Sequence, residues 1–170
     1  MPRFSTNRLP DMYRLNTRVN FEASHKLLGM PEGHKCARLH GHSYKIEVSV
    51  ASPVLSSVGM IIDTSRIKDT IRNVFDHQDL NDVLSKMRYF QPREGNESFD
   101  KVLNPTAENM AEIICDIVEE LLEEEAPEEA TVLRVAVHET ENSFAEYINT
   151  PGELDDEAEE SGEDDEASKD

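Results

Sequence analysis

From Leu15 to His25 apolar and polar positions alternate, with Val19, Phe21, Ala23 and His25 on one parity and Arg18, Asn20, Glu22 and Ser24 on the other. Alternation of period two is the signature of a strand with one buried face. A second alternating run covers 40–50, with His40, His42, Tyr44, Ile46, Val48 and Val50 opposed to Gly41, Ser43, Lys45, Glu47 and Ser49. The two runs predict antiparallel strands joined by a long loop, residues 26–39. After a turn around Ser52-Pro53 and Gly59, Met60-Ile61-Ile62 reads as a short extended run. Ile67, Ile71, Val74 and Phe75 then recur at helical spacing and predict a helix over about 65–76. Residues 85–103 show no periodicity. Asn104-Pro105-Thr106 reads as a helix start ahead of Met110, Ile114, Ile117, Val118 and Leu121, with the helix ending near Glu124 before Pro127. Thr131–Thr140 alternates again, placing Leu133, Val135, Val137 and Glu139 on one face, and 144–148 is a fourth strand. The order ββααββ predicts an α+β fold, a four-stranded antiparallel sheet with two helices on one face.

Length and charge refine this picture. A chain of 170 residues that is 37% hydrophobic fits one packed domain, expected over 1–152. The net charge is -19, of which residues 153–170 hold 11 acids and one lysine, hence -10, leaving -9 for the remainder. Such a segment buries too little to offset its ordering entropy, so 153–170 is expected to be a disordered acidic tail, a solubility device or else a docking or nucleic-acid-mimic segment. No basic stripe is present to neutralise phosphates, which disfavours nucleic acid as a partner. No run reaches the roughly 18 apolar residues of a membrane span. The two cysteines, Cys36 and Cys115, are too few for a disulfide framework, and no signal-like stretch opens the chain. These features point to a soluble cytoplasmic protein.

The chemistry concentrates around three histidines. His40 and His42 share a strand face, and His25 ends the matching face of the neighbouring strand, so three imidazoles converge at one end of the strand pair. Three histidines suit a catalytic zinc, which keeps one coordination position open. A single histidine on an apolar face is as well explained by core packing; matched parity of all three favours the metal. Cys36, four residues before His40, has three readings: a base or nucleophile activated by nearby positive charge, a fourth ligand of a closed metal site, or a small loop residue. Cys115, among Ile113, Ile114 and Ile117, reads as core. Glu139 belongs to a strand end, either a buried carboxylate needing N–H donors from a ligand or a glutamate turned to water. Asp76-His77 follows the first helix, as a charge pair or a proton relay.

Six blocks, F21-E-A-S-H25, C36-A-R-L-H40-G-H42-S-Y, G59-M-I-I-D63, D76-H77-x-x-L80-N81, N104-P-T-A-E-N109 and H138-E139-T140, together resemble the 6-pyruvoyltetrahydropterin synthase family in order and spacing, over about residues 14–148. The resemblance implies the tunnelling fold, in which sheet edges pair between subunits into a barrel, as a hexamer built from two trimers with active sites at subunit interfaces. It implies Zn2+ held by His25, His40 and His42, Cys36 as the catalytic base, Asp76 and His77 as its relay, and Glu139 as the anchor of the pterin ring, with Thr106 and Glu108 also on the substrate. The cysteine four positions before the first His of HGH is similar to the 6-carboxytetrahydropterin synthase branch, which serves queuosine-type biosynthesis. For that branch the implied reaction converts 7,8-dihydroneopterin triphosphate and water to 6-carboxy-5,6,7,8-tetrahydropterin, acetaldehyde and triphosphate. An acidic protein must receive a triphosphate on local cations, for which Lys26, Lys35 and Arg38 of the loop are the candidates. Two alternatives stand beside this one: pyruvoyltetrahydropterin synthesis, which shares the triphosphate elimination, and a non-catalytic zinc-stabilised scaffold. Zinc binding alone would not require Cys36, His77 and Glu139 together, which weighs against the scaffold.

Overall fold

The computed structural model describes residues 11–87 and 104–149. Both the 88–103 stretch and the acidic tail read from the sequence lie outside these residues. Strand β1 (Tyr13–His25) pairs antiparallel with β2 (His40–Ser52) along its whole length, from Tyr13 opposite Ser52 to His25 opposite His40. The register follows from the alternation: Val19 faces Ile46 and Phe21 faces Tyr44, so both apolar sets lie on one side of the sheet. Strand β4 (Thr131–Thr140) adds to the other edge of β2, and β5 (Ser143–Ile148) pairs with β4.

The apolar face is covered by helices. Helix α1 (Thr64–Phe75) is capped by Asp63, whose carboxylate accepts from the Ser65 N–H at 2.9 Å, and it buries Ile67, Ile71 and Phe75, one stripe at four-residue spacing. Helix α3 (Ala107–Glu125) is capped by Thr106 and buries Met110, Ala111, Ile114, Val118, Leu121 and Leu122 against the sheet, ending before Pro127. Phe21 stacks on Tyr44 and on Phe75, with ring centroids 5.1 and 5.7 Å apart, tying β1, β2 and α1 together. No helix among the described residues is long and apolar enough to cross a membrane.

The fold is the expected α+β arrangement with two additions. A two-residue strand β3 (Gln78–Asp79) runs parallel to β1 at Ala23 and Ser24, so the sheet has five strands in the order β3-β1-β2-β4-β5 and is mixed rather than antiparallel throughout. A third helix, α2 (Leu80–Lys86), follows directly and buries only Leu80 and Leu84. Two residues carry no alternation and two buried leucines no stripe, so neither element leaves a periodic signal. The Met60-Ile61-Ile62 run joins no strand: Ser56 N–H donates to Met60 C=O and Gly59 N–H to Ser56 C=O, closing the backbone on itself, while Ile61 and Ile62 are buried in the core.

Candidate active site

The site begins with the strand register. His25 stands opposite His40 and Ala23 opposite His42, so the three imidazoles gather at the end of the β1–β2 pair, with ring centroids 4.6 to 5.1 Å apart. One ring nitrogen from each lies within 4.8 Å of the others, a spacing suited to a single metal ion. Hydrogen bonds fix which nitrogens are free. Nδ1 of His25 donates to the Pro105 carbonyl at 2.7 Å, with the Tyr44 hydroxyl oxygen at 3.3 Å, and Nδ1 of His40 donates to the Arg38 carbonyl at 2.7 Å. A carbonyl only accepts, so Nδ1 carries the hydrogen in both rings and the Nε2 lone pairs remain available. His25 is 2% exposed, and burial lowers its pKa despite the Pro105 hydrogen bond, with His40 and His42 adding repulsion. Burial and then His40 likewise lower that of His42. At neutral pH the pair is therefore neutral, the form that binds metal.

A cleft of about 970 Å³ opens over these rings. Lys35, Cys36 and Arg38 border it from the loop, where 35–37 form one 3₁₀ turn capped by His34, whose Nδ1 accepts from the Cys36 N–H at 3.2 Å. Thr106 and Glu108 border it from the first turn of α3, and Glu139 and Thr140 from the end of β4. Glu139 is the core-facing residue at the strand end: its carboxylate lies 4.0 Å from His25 Nε2, and among the described residues no donor hydrogen-bonds to it. Its pKa is raised, first by burial and then by the Glu108 carboxylate, with His40 opposing. A carboxylate in that state is disposed to accept paired N–H donors from a bound molecule.

Not every residue singled out in the sequence comes to this cleft. Lys26 is not among its lining residues; its backbone is tied to Asn81 instead. Asp76 and His77 do not border the cleft either: His77 lines a second, shallower cleft with Glu22, Ser24 and Ser43, and His42 borders both clefts. Their pairing is clear: His77 Nδ1 is 2.9 Å from Asp76 Oδ1, and Asp76 is held ionised chiefly by the Glu22 N–H at 3.0 Å. His77 adopts φ 59°, uncommon for a residue with a Cβ, and its N–H donates to Glu22 C=O at 2.6 Å. Within one protomer His77 thus borders a different cleft from Cys36. Cys115 is buried in α3, and burial pushes its thiol up to about 12, which marks it as inert. Sequence reasoning gave no role to Tyr44, Pro105 or Phe144; Phe144 borders the cleft but leaves only an ordinary strand signal, and Pro105 acts through a main-chain carbonyl that side-chain patterns do not reveal.

A mixed sheet backed by helices, with histidines at one strand end, defines a tunnelling-fold protein. Solved structures of this shape include an uncharacterised protein of Wolinella succinogenes (TM-score 0.58, 18% identity, 82% of this chain and 99% of that one) and Caenorhabditis elegans 6-pyruvoyl tetrahydropterin synthase (TM-score 0.56, 20% identity, 82% and 97%). Residues 14–150 match the 6-pyruvoyl tetrahydropterin synthase family model, and the chain belongs to that family of pterin enzymes. Among its relatives are the 6-carboxy-5,6,7,8-tetrahydropterin synthases of Rickettsia typhi, 28% identical over 144 residues (79% of this chain, 99% of the relative), and Bacillus subtilis, 29% over 145 (85% and 91%). That of Aquifex aeolicus is 34% identical over 124 residues (67% and 76%).

Proposed function

We propose that the protein is a zinc-dependent 6-carboxytetrahydropterin synthase, converting 7,8-dihydroneopterin triphosphate and water to 6-carboxy-5,6,7,8-tetrahydropterin, acetaldehyde and triphosphate. The observation that carries the reading is the convergence on one cleft of a three-histidine cluster, a loop thiol and a carboxylate without hydrogen-bond donors among the described residues. Relatives named for this activity support the substrate class.

His25, His40 and His42 would hold the zinc through one nitrogen each, the tautomers of His25 and His40 being set by the Pro105 and Arg38 carbonyls. Bound there, zinc supplies positive charge beside the substrate's side-chain hydroxyls and makes the adjoining C–H groups more acidic. Glu139 accepts two parallel hydrogen bonds from the 2-amino and ring N–H groups of the pterin, which orients the side chain toward the histidines. Cys36 removes and returns protons at the side-chain carbons. Lys35 and Arg38, at the mouth of the cleft, receive the triphosphate. Lys26 does not border the cleft and takes no part in that role.

Asp76 and His77 would serve as the relay of Cys36 from a neighbouring subunit, a reading supported by His77 bordering a different cleft from Cys36 in its own protomer. This fits a homo-oligomer whose open sheet edges pair between copies, a hexamer of two trimers in this reading, which also removes the hazard of unpaired edges. The test is triphosphate release from 7,8-dihydroneopterin triphosphate. Release that needs both zinc and Cys36 is expected; release that persists after zinc removal, or none from the zinc-loaded protein, overturns the proposal.

A further inference from the structure

The loop from 26 to 39 carries Cys36 between the two metal strands, yet none of its residues is buried. Apolar packing therefore does not set its path; hydrogen bonds must. Two asparagine side chains provide them. Asn81 Oδ1 accepts from the Lys26 N–H at 2.8 Å while its Nδ2 donates to the Lys26 carbonyl at 2.9 Å. Asn104 repeats the arrangement on Leu28, with distances of 2.5 and 2.9 Å. Between them, the Leu27 N–H points the other way and donates to the carbonyl of Cys36 at 2.7 Å.

This alternation is that of a strand with partners on both edges. A primary amide offers one donor and one acceptor side by side, as one residue of an antiparallel pair does, so each asparagine stands in for a neighbouring strand. The reason a side chain is needed is visible in the chain path. Main-chain pairing along β1 runs from Glu22, bonded to His77, through Ala23 and Ser24, paired with Gln78 and Asp79. At Leu80 the backbone turns into α2 and leaves the direction of the sheet, and the Asn81 N–H is taken by the capping carboxylate of Asp79 at 2.9 Å. Asn81 continues the ladder from the first turn of α2, and Asn104 from the segment before α3. Asn104 is also bonded through its own carbonyl to Asn109 Nδ2 at 2.8 Å, and its neighbour Pro105 holds His25.

We infer that Asn81 and Asn104 are positioning residues: they extend β1 by side-chain amides so that Leu27 holds Cys36 in register with the histidine cluster. The inference rests on Cys36 being the base of the proposed reaction. Neither asparagine borders the cleft, so neither touches the substrate.

The test uses the zinc-loaded full chain with Asn81→Ala, Asn104→Ala and the near-isosteric Asn81→Asp, which keeps the acceptor for the Lys26 N–H. Steady-state kinetics, zinc content and the alkylation rate of Cys36 by iodoacetamide are measured together; Cys115 is buried and serves as the internal control. Each alanine variant should lose about 10- to 100-fold in kcat with KM nearly unchanged, the range seen when partners that orient reacting groups are removed. Zinc should stay at the parent's stoichiometry, Cys36 should alkylate faster as the loop is released, and Asn81→Asp, which sets a carboxylate oxygen against the Lys26 carbonyl, should also lose turnover. Parental kcat and alkylation in the alanine variants overturns the inference, as does a loss of activity that follows loss of zinc or of assembly. If the parent itself does not turn over 7,8-dihydroneopterin triphosphate, the functional proposal fails, while the alkylation rates still decide whether the asparagines hold the Cys36 loop.

Discussion

Replacing Glu139 with Gln tests the pterin anchor with little change of shape. The carboxylate is half-buried, lies 4.0 Å from His25 Nε2, and has no hydrogen-bond donor among the described residues. In the unliganded protein it is therefore a cost: burial and Glu108 raise its pKa above the ordinary 4.5, so near neutral pH the folded state binds the ionised form reluctantly. The sign follows from linkage. A carboxyl with a raised folded pKa contributes stability below its unfolded value and loses it as pH rises, and Gln removes that loss. The melting temperature at pH 7 should thus stay level or rise. Binding should move the other way. Gln turns one acceptor into a donor facing a pterin N–H, which forfeits a charge-assisted hydrogen bond and leaves a donor unpaired, about 2 to 4 kcal/mol. At 1.4 kcal/mol per tenfold, that is about 30- to 1,000-fold in Kd. Titration calorimetry with a non-reacting pterin such as neopterin, on parent and variant with zinc content measured in parallel, reads the effect. Unchanged affinity in Glu139→Gln, or a loss explained by missing zinc, refutes the anchor.

X-ray absorption at the zinc edge should show three nitrogens and one exchangeable oxygen for about one zinc per chain; sulfur in that shell would make Cys36 a ligand and remove it as base. Cys36→Ala should keep zinc and assembly and lose roughly 100- to 10,000-fold in turnover, the range for a positioned acid–base group, and a parental rate would exclude the role. The pKa values of His25 and His42 lie below the ordinary 6.5, so the unfolded chain takes up protons first as pH falls. Stability should be flat above 6.5 and decline below it, and a melting temperature that rises on acidification from 6.5 would contradict the burial of these rings.

The long strands and the histidine cluster were legible in the sequence because alternation fixes parity, and parity fixes which side chains share a face. His25, His40 and His42 needed nothing more than two strands and their register. Glu139 was legible as a core-facing strand end, but its lack of donors was not, because that depends on what the loop and α3 leave around it. The pairing of Asp76 with His77 could be read from adjacency, whereas the placing of His77 at a cleft apart from Cys36 could not: β3, which follows them directly, is two residues long. Lys26 shows the limit of reasoning by proximity in sequence. It lies between His25 and Leu27, which both border the cleft, yet it does not border the cleft itself, and its backbone is bonded to Asn81. Side-chain amides that replace a strand leave no period at all, and so Asn81 and Asn104 appeared only as members of motifs.

The proposed reaction has three defined products. Zinc-loaded protein is incubated with 7,8-dihydroneopterin triphosphate under anaerobic conditions, the pterin is identified by mass spectrometry and released aldehyde is trapped and quantified. The expected products are 6-carboxy-5,6,7,8-tetrahydropterin and one acetaldehyde for each triphosphate. A 6-pyruvoyl product without acetaldehyde, or unchanged substrate, would contradict it.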